Sequence, residues 1–191
     1  MSEQKSISIK SLKTGDILLS AGLSGISQVI KVFTNSKFSH TALYIGGGNV
    51  IEAIDKGVVV NNIVIAMSDD ILVSVYRKND LTPGEAAYVV ENAKRYVGKP
   101  YDVAGAMGAG VTSNAGVISS LLVSPAAGLY GLYADAQNRK NPTSAFFCSE
   151  LVAWAYKRSG VILDSNASSA TPEDIANYKS LTYLGDLKSP N

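Results

Sequence analysis

The segment SHTALYIGGGNVIEAI, residues 39–54, constrains the fold of this chain more than any other. Two apolar runs flank Gly46, Gly47, Gly48 and Asn49, a composition typical of a tight β-hairpin turn. The segment therefore predicts two antiparallel strands. Because side chains alternate between the two faces of a strand, the length of the turn decides which residues of the second strand share a face with those of the first.

Further apolar runs predict strands mainly in the first half of the chain and helices in the second. The predicted strands are a buried strand within TGDILLS (14–20), runs at Val58–Ala66 and Ile71–Arg77, and a last strand at LTYLGDL (181–187). Four helices are predicted: one over Ser24–Phe33, one that starts at Thr82, one from Cys148 to Gly160, and a short one that opens at Thr171. The second has Thr82 as N-cap, Pro83 as its first residue and Glu85 completing a capping box, with Val97 on its apolar face and Gly98 as its end. This order favours the α+β class with an antiparallel sheet over alternating βαβ units.

Composition limits the classes of function. The 191 residues, of which 17% are charged, fit one globular domain, and a net charge of +1 without a basic block disfavours nucleic acid as a partner. A single cysteine excludes an internal disulfide, and one cysteine with one histidine disfavours a structural zinc site, which needs four ligands. We expect neither a metal nor a cofactor. The N-terminus lacks the apolar core of a signal peptide, so we expect synthesis in the cytoplasm and any export by another route.

The segment 103–134 carries no charged side chain. A membrane span needs about 20 consecutive apolar residues. Glycines, Pro125 and scattered Ser, Thr and Asn interrupt this segment, so we expect no stable span and interpret it as a buried or lid-like insertion.

Cys148 follows an apolar run and begins an amphipathic pattern, which places it at or just before a helix N-terminus. Unpaired N–H groups there stabilise a thiolate and can also bind the oxyanion that forms when a carbonyl is attacked. The alternative is that a lone cysteine is simply a small buried apolar residue. The sequence therefore offers Cys148 as a candidate nucleophile.

His40, the only histidine, starts the first strand of the hairpin. An imidazole at a strand edge is a candidate base for a thiol, and such a pair needs spatial rather than sequential adjacency. An acidic residue of the second strand is then expected to orient it. An odd hairpin loop would place Glu52 on the face of His40, and a two-residue Gly47-Gly48 turn would place Asp55 there. Glu52 is favoured, because a charge within an apolar run is costlier to leave unpaired.

Four segments together resemble a known family. The pattern of GDILL within 14–20, SHTALYIGGGNVIEAI at 39–54, GKPYD at 98–102 and FFCSELVAWAY at 146–156 looks like the circularly permuted NlpC-type papain-like cysteine hydrolases, often called YiiX-like. The resemblance implies one domain over 1–191, with an antiparallel sheet or small barrel packed against helices and the nucleophile at a helix N-terminus. An uncharged insertion at about 103–134 departs from the compact connection expected there.

Carried over residue by residue, the resemblance implies that Cys148 is the nucleophile, His40 the general base and Glu52 the group that orients it. Tyr101 matches a tyrosine that lines the active site and assists the oxyanion or the substrate. Asp102 and Glu150 also match motif positions, and we interpret both as structural.

Three hypotheses follow. The first is a cysteine peptidase or amidase acting on a small peptide, such as a bacterial cell-wall fragment. The second, motivated by the uncharged insertion, keeps the same site but makes the protein an acyl hydrolase or acyltransferase acting on a lipid. The third is a binding module without activity. If the protein is an exported toxin, an immunity or inhibitor protein is expected as a partner.

Overall fold

A computed structural model of the chain describes residues 5–22, 37–102, 145–164 and 170–188. In this part the strands are β1 Ser6–Ile7, β2 Ile17–Gly22, β3 His40–Gly46, β4 Asn49–Ile54, β5 Gly57–Asn62, β6 Asp70–Lys78 and β7 Leu181–Leu187. The helices are α1 Ile63–Ala66, α2 Pro83–Lys94, α3 Cys148–Arg158 and α4 Pro172–Ala176, with a 3-10 turn at Ile9–Ser11. The predicted helix Ser24–Phe33 and the segment 103–134 lie outside the described residues.

The strands form one sheet in the order β1-β7-β6-β2-β3-β4-β5. All pairings are antiparallel except that of β1 with β7, which is parallel, so the predicted antiparallel sheet is in detail mixed. β2 lies in the middle and is buried along its whole length. The α+β prediction is confirmed.

The sheet separates two groups of buried apolar side chains. The larger group joins residues of β2, β3 and β4 to α2 and α3, and its largest members include Tyr156, Phe38 and Phe146. The smaller group lies on the other face of the sheet and includes Leu18 of β2 and Ala42 of β3. Because alternate residues of a strand point to opposite faces, β2 and β3 contribute to both groups. The apolar stripe of α3 thus seats that helix, and with it Cys148, against the sheet.

Two predicted element ends are wrong. α2 starts with the predicted capping box of Thr82 and Glu85 but ends at Lys94 rather than at Gly98, and Val97 is exposed. The chain leaves the helix there because the Gly98 N–H donates to the Val58 carbonyl at 2.9 Å and so joins the edge of β5.

The run Val58–Ala66 is a strand only as far as Asn62. The Asn62 side chain accepts a hydrogen bond from the Val64 N–H at 2.9 Å and caps α1, so the apolar residues that follow form one helical turn. Within the described ranges, no helix is both long and apolar enough to cross a membrane.

Residues at the start of the GDILL segment form hydrogen bonds that connect the beginning of β2 to β6 and α3. Asp16 is almost fully buried, and its carboxylate accepts two hydrogen bonds from the Arg77 guanidinium, from Nε at 2.6 Å and from Nη2 at 2.7 Å. The Tyr156 hydroxyl of α3 donates to the Gly15 carbonyl. Gly15 has φ +91, a backbone conformation that residues with a side chain rarely adopt, and this explains the glycine at this position. This motif is structural.

Candidate active site

The hairpin of β3 and β4 places Glu52 on the face of His40 by a route that the sequence did not reveal. The turn has two residues, Gly47 and Gly48, the even length expected to bring Asp55 to that face. However, Ala42 lies opposite Glu52, while beyond a bulge Gly46 lies opposite Asn49. The extra residue of the bulge restores the odd count.

The three glycines explain the bulge. Gly46, Gly47 and Gly48 have φ values of 92°, 62° and 77°, which residues with a side chain rarely adopt. A two-residue turn needs positive φ only at its two central residues. The third glycine is therefore the sequence signal of the bulge, and it supports the choice of Glu52. Asp55 is exposed, and its carboxylate accepts a hydrogen bond from the Lys56 N–H.

His40 and Glu52 form a close pair. The His40 Nε2 lies 2.7 Å from Glu52 Oε2, and the side chains are 19% and 3% exposed. The other oxygen of Glu52, Oε1, accepts a hydrogen bond of 2.8 Å from the Asn61 amide on β5. Three neighbouring strands thus contribute one side chain each. With Nε2 facing the carboxylate, Nδ1 is the ring nitrogen left for the thiol.

Cys148 is the first residue of α3 and is 3% exposed. Its thiol is a hydrogen-bond partner of His40, and it accepts from the backbone N–H groups of Thr41 and Ser149. The Ser149 N–H belongs to the first turn of α3, where N–H groups have no partner within the helix, and Phe147 provides no side-chain cap. The register of β3 with β4 ends at Ala42 opposite Glu52, which accounts for the availability of the Thr41 N–H.

The charges of the site favour a thiolate and an imidazolium. Burial alone would raise the pKa of the Cys148 thiol, but the hydrogen bond and charge of His40 and the two N–H donors lower that pKa below its ordinary value. Burial alone would lower the pKa of His40, but Cys148 and Glu52 together raise it. Burial would also raise the pKa of Glu52, which His40 and Asn61 hold below its ordinary value. The arrangement suits a nucleophilic thiolate.

The Tyr101 hydroxyl lies close enough to Cys148 to interact with the charge of its thiolate. The segment 98–102 is held at the edge of β5, where the Val58 N–H donates to the Lys99 carbonyl at 2.8 Å. The Tyr101 backbone then forms a bridge with Phe146, two residues before Cys148. Burial, followed by the charges of Cys148 and Asp102, raises the pKa of the Tyr101 hydroxyl, which therefore stays a hydrogen-bond donor near neutral pH.

Sequence reasoning did not find Asn61, Thr41 or Asp70. Asn61 is a polar residue at a strand end and gives no signal by itself, and Thr41 acts through its backbone. Asp70, at the start of β6, lies close enough to His40 and Glu52 to interact with their charges, and burial raises its pKa. Glu150 is buried in the first turn of α3, consistent with a structural role. Among the described residues, no group of three His, Cys, Asp or Glu side chains is arranged to hold a metal ion.

A buried Cys at a helix start, paired with a His on an antiparallel sheet, is the architecture of a papain-like thiol enzyme in which the histidine strand comes first. The sequence model of one family matches residues 11–106, and it describes a permuted papain-like amidase enzyme, YaeF/YiiX, of the C92 family. The match includes His40, Glu52 and Tyr101 and ends before Cys148. The chain belongs to this family of cysteine peptidases and amidases.

Two related proteins add to this assignment. The chain is 36% identical over 101 residues to a protein of Escherichia coli K12 described as a probable lipoprotein peptidase, YaeF. That match covers 53% of this chain and 37% of the relative, so it spans little more than a third of that protein. The crystal structure of a protein of Escherichia coli O157:H7, described as the metalloprotein yiiX, superposes with a TM-score of 0.64 at 20% identity, covering 91% of this chain and 96% of the other. The superposition supports the fold.

Proposed function

We propose that the chain is a cysteine hydrolase that cleaves an amide bond in a small peptide, with Cys148 as nucleophile, His40 as general base and acid, and Glu52 as the group that orients His40. The observation that carries the proposal is the buried contact of the Cys148 thiol with His40, whose Nε2 lies 2.7 Å from Glu52. Lone cysteines and histidines are common in cores, but this constellation lowers the pKa of the thiol.

In the first step, the Cys148 thiolate attacks the carbonyl carbon of the substrate. The tetrahedral intermediate then collapses as His40 gives its proton to the leaving amine, which leaves an acyl thioester on Cys148 and a neutral imidazole. Glu52 keeps the imidazolium form available, because its negative charge lies within hydrogen-bond distance of the ring.

In the second step, water hydrolyses the thioester. The neutral His40 removes a proton from the water, the hydroxide adds to the thioester carbonyl, and the Cys148 thiolate leaves with the imidazolium restored beside it. The product acid departs and the starting state is regenerated.

The oxyanion of both steps requires donors near Cys148. The first turn of α3 offers backbone N–H groups, and the Tyr101 hydroxyl lies close enough to sense the charge of the thiolate. Because the pKa of Tyr101 is raised, its hydroxyl stays protonated and can donate to the oxyanion. We assign Tyr101 this role.

The substrate class rests on the relatives. The family is described as amidases and the relative from E. coli K12 as a peptidase, and both descriptions favour an amide bond over an ester. A bacterial cell-wall peptide is the substrate we would test first, with a lipid acyl ester as the alternative arm.

The decisive experiment is mass spectrometry of the protein after brief incubation with a library of cell-wall peptides and, separately, with a lipid extract. We expect an acyl adduct on Cys148 with peptides and release of the amine product. Cys148→Ala should form no adduct, and His40→Ala should slow product formation by about 10³-fold or more.

Asp55→Asn serves as the control, since Asp55 is exposed and its carboxylate accepts a hydrogen bond only from the neighbouring Lys56 N–H among the described contacts. If adducts formed with lipids but not with peptides, we would conclude that the protein transfers or hydrolyses lipid acyl groups and does not cleave amide bonds. Full activity of folded Cys148→Ala would refute the mechanism, and an ordinary thiol pKa near 8.5 in the wild type would favour a binding module.

A further inference from the structure

Glu52 is held by two side chains at once, one on each of its oxygens. Oε2 faces His40 at 2.7 Å, and Oε1 accepts a hydrogen bond from the Asn61 Nδ2 at 2.8 Å. Val50 lies opposite Asn61 in the register of β4 with β5, so Asn61 is diagonal to Glu52 on the same face of the sheet. A row of side chains therefore runs across β3, β4 and β5.

We infer that Asn61 is a positioning residue for catalysis: it fixes and ionises Glu52, and through Glu52 it sets the charge of His40. The inference deepens the proposed function and rests on it. The hydrogen bond of Asn61 runs to Glu52, so its effect on the imidazole and the thiol passes through the carboxylate.

The physical reason lies in the freedom of a carboxylate. The terminal torsion of a glutamate is broad, so a carboxylate held at one oxygen can swing away from the ring. A donor on the second oxygen removes that freedom. An amide is also uncharged at every pH, so it stabilises the ionised form of Glu52 without itself taking up a proton.

Two carboxylates interact with the charge of His40, and the hydrogen bond from Asn61 goes to only one of them, Glu52. Glu52 on β4 faces Asn61 and His40, and its pKa lies below the ordinary value. Asp70 on β6 also interacts with the charge of His40, but burial raises its pKa. The other titratable groups of the site are Cys148 on α3, which is a hydrogen-bond partner of His40, and Tyr101, which interacts with the charge of Cys148. Asn61 thus adds to the stabilisation of the Glu52 anion that His40 chiefly provides.

The test is the pH dependence of Cys148 alkylation by iodoacetamide, which reports the thiolate and needs no substrate. Asn61→Ala should destabilise the ionised form of Glu52, so the pKa of His40 should fall. Because a less protonated His40 stabilises the thiolate less, the midpoint of Cys148 alkylation should move to higher pH. With a verified substrate, kcat should fall by about 10- to 100-fold, the effect typical of outer hydrogen-bond partners at catalytic metal sites, with KM little changed.

Two further variants separate positioning from packing. Asn61→Leu keeps the volume of the side chain but removes its donors, so it should shift the midpoint as Asn61→Ala does. Val59→Ala removes a side chain directly opposite Glu52 that makes no such hydrogen bond, and it should leave the midpoint at its wild-type value.

The inference is overturned if Asn61→Leu restores the wild-type midpoint, or if Val59→Ala moves it as far as Asn61→Ala does. A wild-type midpoint already near 8.5 would instead contradict the proposed function itself. A low wild-type midpoint that no Asn61 variant moves would leave the proposed function standing and remove only the role of Asn61.

Discussion

In the described part of the chain, two buried carboxylates, Asp16 and Glu52, each pair with a basic side chain of a strand, and the two pairs differ in what they can do. In the anchor pair, Asp16 and Arg77, the closest atoms are 2.6 Å apart and the side chains are 1% and 26% exposed. In the site pair, Glu52 and His40, the distance is 2.7 Å and the side chains are 3% and 19% exposed. Distance and burial alone do not tell the two pairs apart.

The cation makes the difference. The pKa of Arg77 is raised further by the hydrogen bonds of Asp16, so the anchor pair has no proton to give at any working pH. Its remaining bonds run to the backbone, from the Lys13 N–H to Asp16 and from Arg77 to the Ser11 carbonyl. Histidine can release its proton, and the site pair connects to side chains, Cys148 and Asn61. The anchor pair therefore keeps a fixed charge, whereas the cation of the site pair can exchange its proton.

The largest effect expected from this contrast is on activity. Glu52→Gln replaces the anion of the site pair by a neutral amide of the same shape, so His40 loses the charge that keeps it protonated and oriented. We expect kcat/KM for a verified peptide to fall by about 10³- to 10⁴-fold, roughly 4 to 5.5 kcal/mol of transition-state stabilisation, in steady-state assays of a variant shown to be folded. Asp55→Asn is the matched control, and an equal loss there would break the assignment of Glu52.

The anchor pair should show the opposite result. Arg77→Met leaves the buried Asp16 carboxylate without its cation, and the free energy of unfolding should fall by about 3 to 5 kcal/mol in urea denaturation. The folded protein should retain the wild-type rate of Cys148 alkylation at each pH. If Arg77→Met instead altered alkylation while stability held, the two pairs could not be separated as we describe.

The pH dependence sharpens the contrast. The thiolate–imidazolium pair exists between the lowered pKa of Cys148 and the raised pKa of His40, so the activity should rise as the pH passes the first value and fall above the second. The alkylation midpoint of the wild type should lie below 8.5. In His40→Ala, only the backbone N–H donors oppose the effect of burial on the pKa of Cys148, so the alkylation midpoint should move to higher pH. An unchanged midpoint would show that His40 does not stabilise the thiolate.

The smallest effect concerns the hydroxyl that links α3 to the anchor pair. Tyr156→Phe removes the hydrogen bond to the Gly15 carbonyl while keeping the buried ring, and the free energy of unfolding should fall by about 1 to 2 kcal/mol. Activity per folded molecule should not change, because Tyr156 lies two turns along α3 from Cys148. Loss of activity without loss of stability would mean that the position of α3 depends on this bond.

Several elements were predictable because their signals are local. The capping box of Thr82 and Glu85, the glycine stop at Gly160 and the start of α4 at Thr171 all depend on residues within one turn of each other, and the structure confirms them. The end of α2 was missed because a hydrogen bond to the distant Val58 carbonyl decided it. The end of β5 was missed because the Asn62 side chain caps the helical turn that follows.

The sequence by itself determined that a cysteine follows an apolar run at a helix start, that a histidine opens a hairpin, and that an acidic residue lies on the return strand. Only the tertiary structure decided which acid meets His40, because a single bulge residue reverses the face on which every later side chain of the strand lies. The tertiary structure also decided that Asn61, Thr41 and Tyr101 lie at the site. Each belongs to a different strand or segment, and its position depends on how that segment pairs with its neighbours. Local propensities determine elements, whereas the register between them determines chemistry.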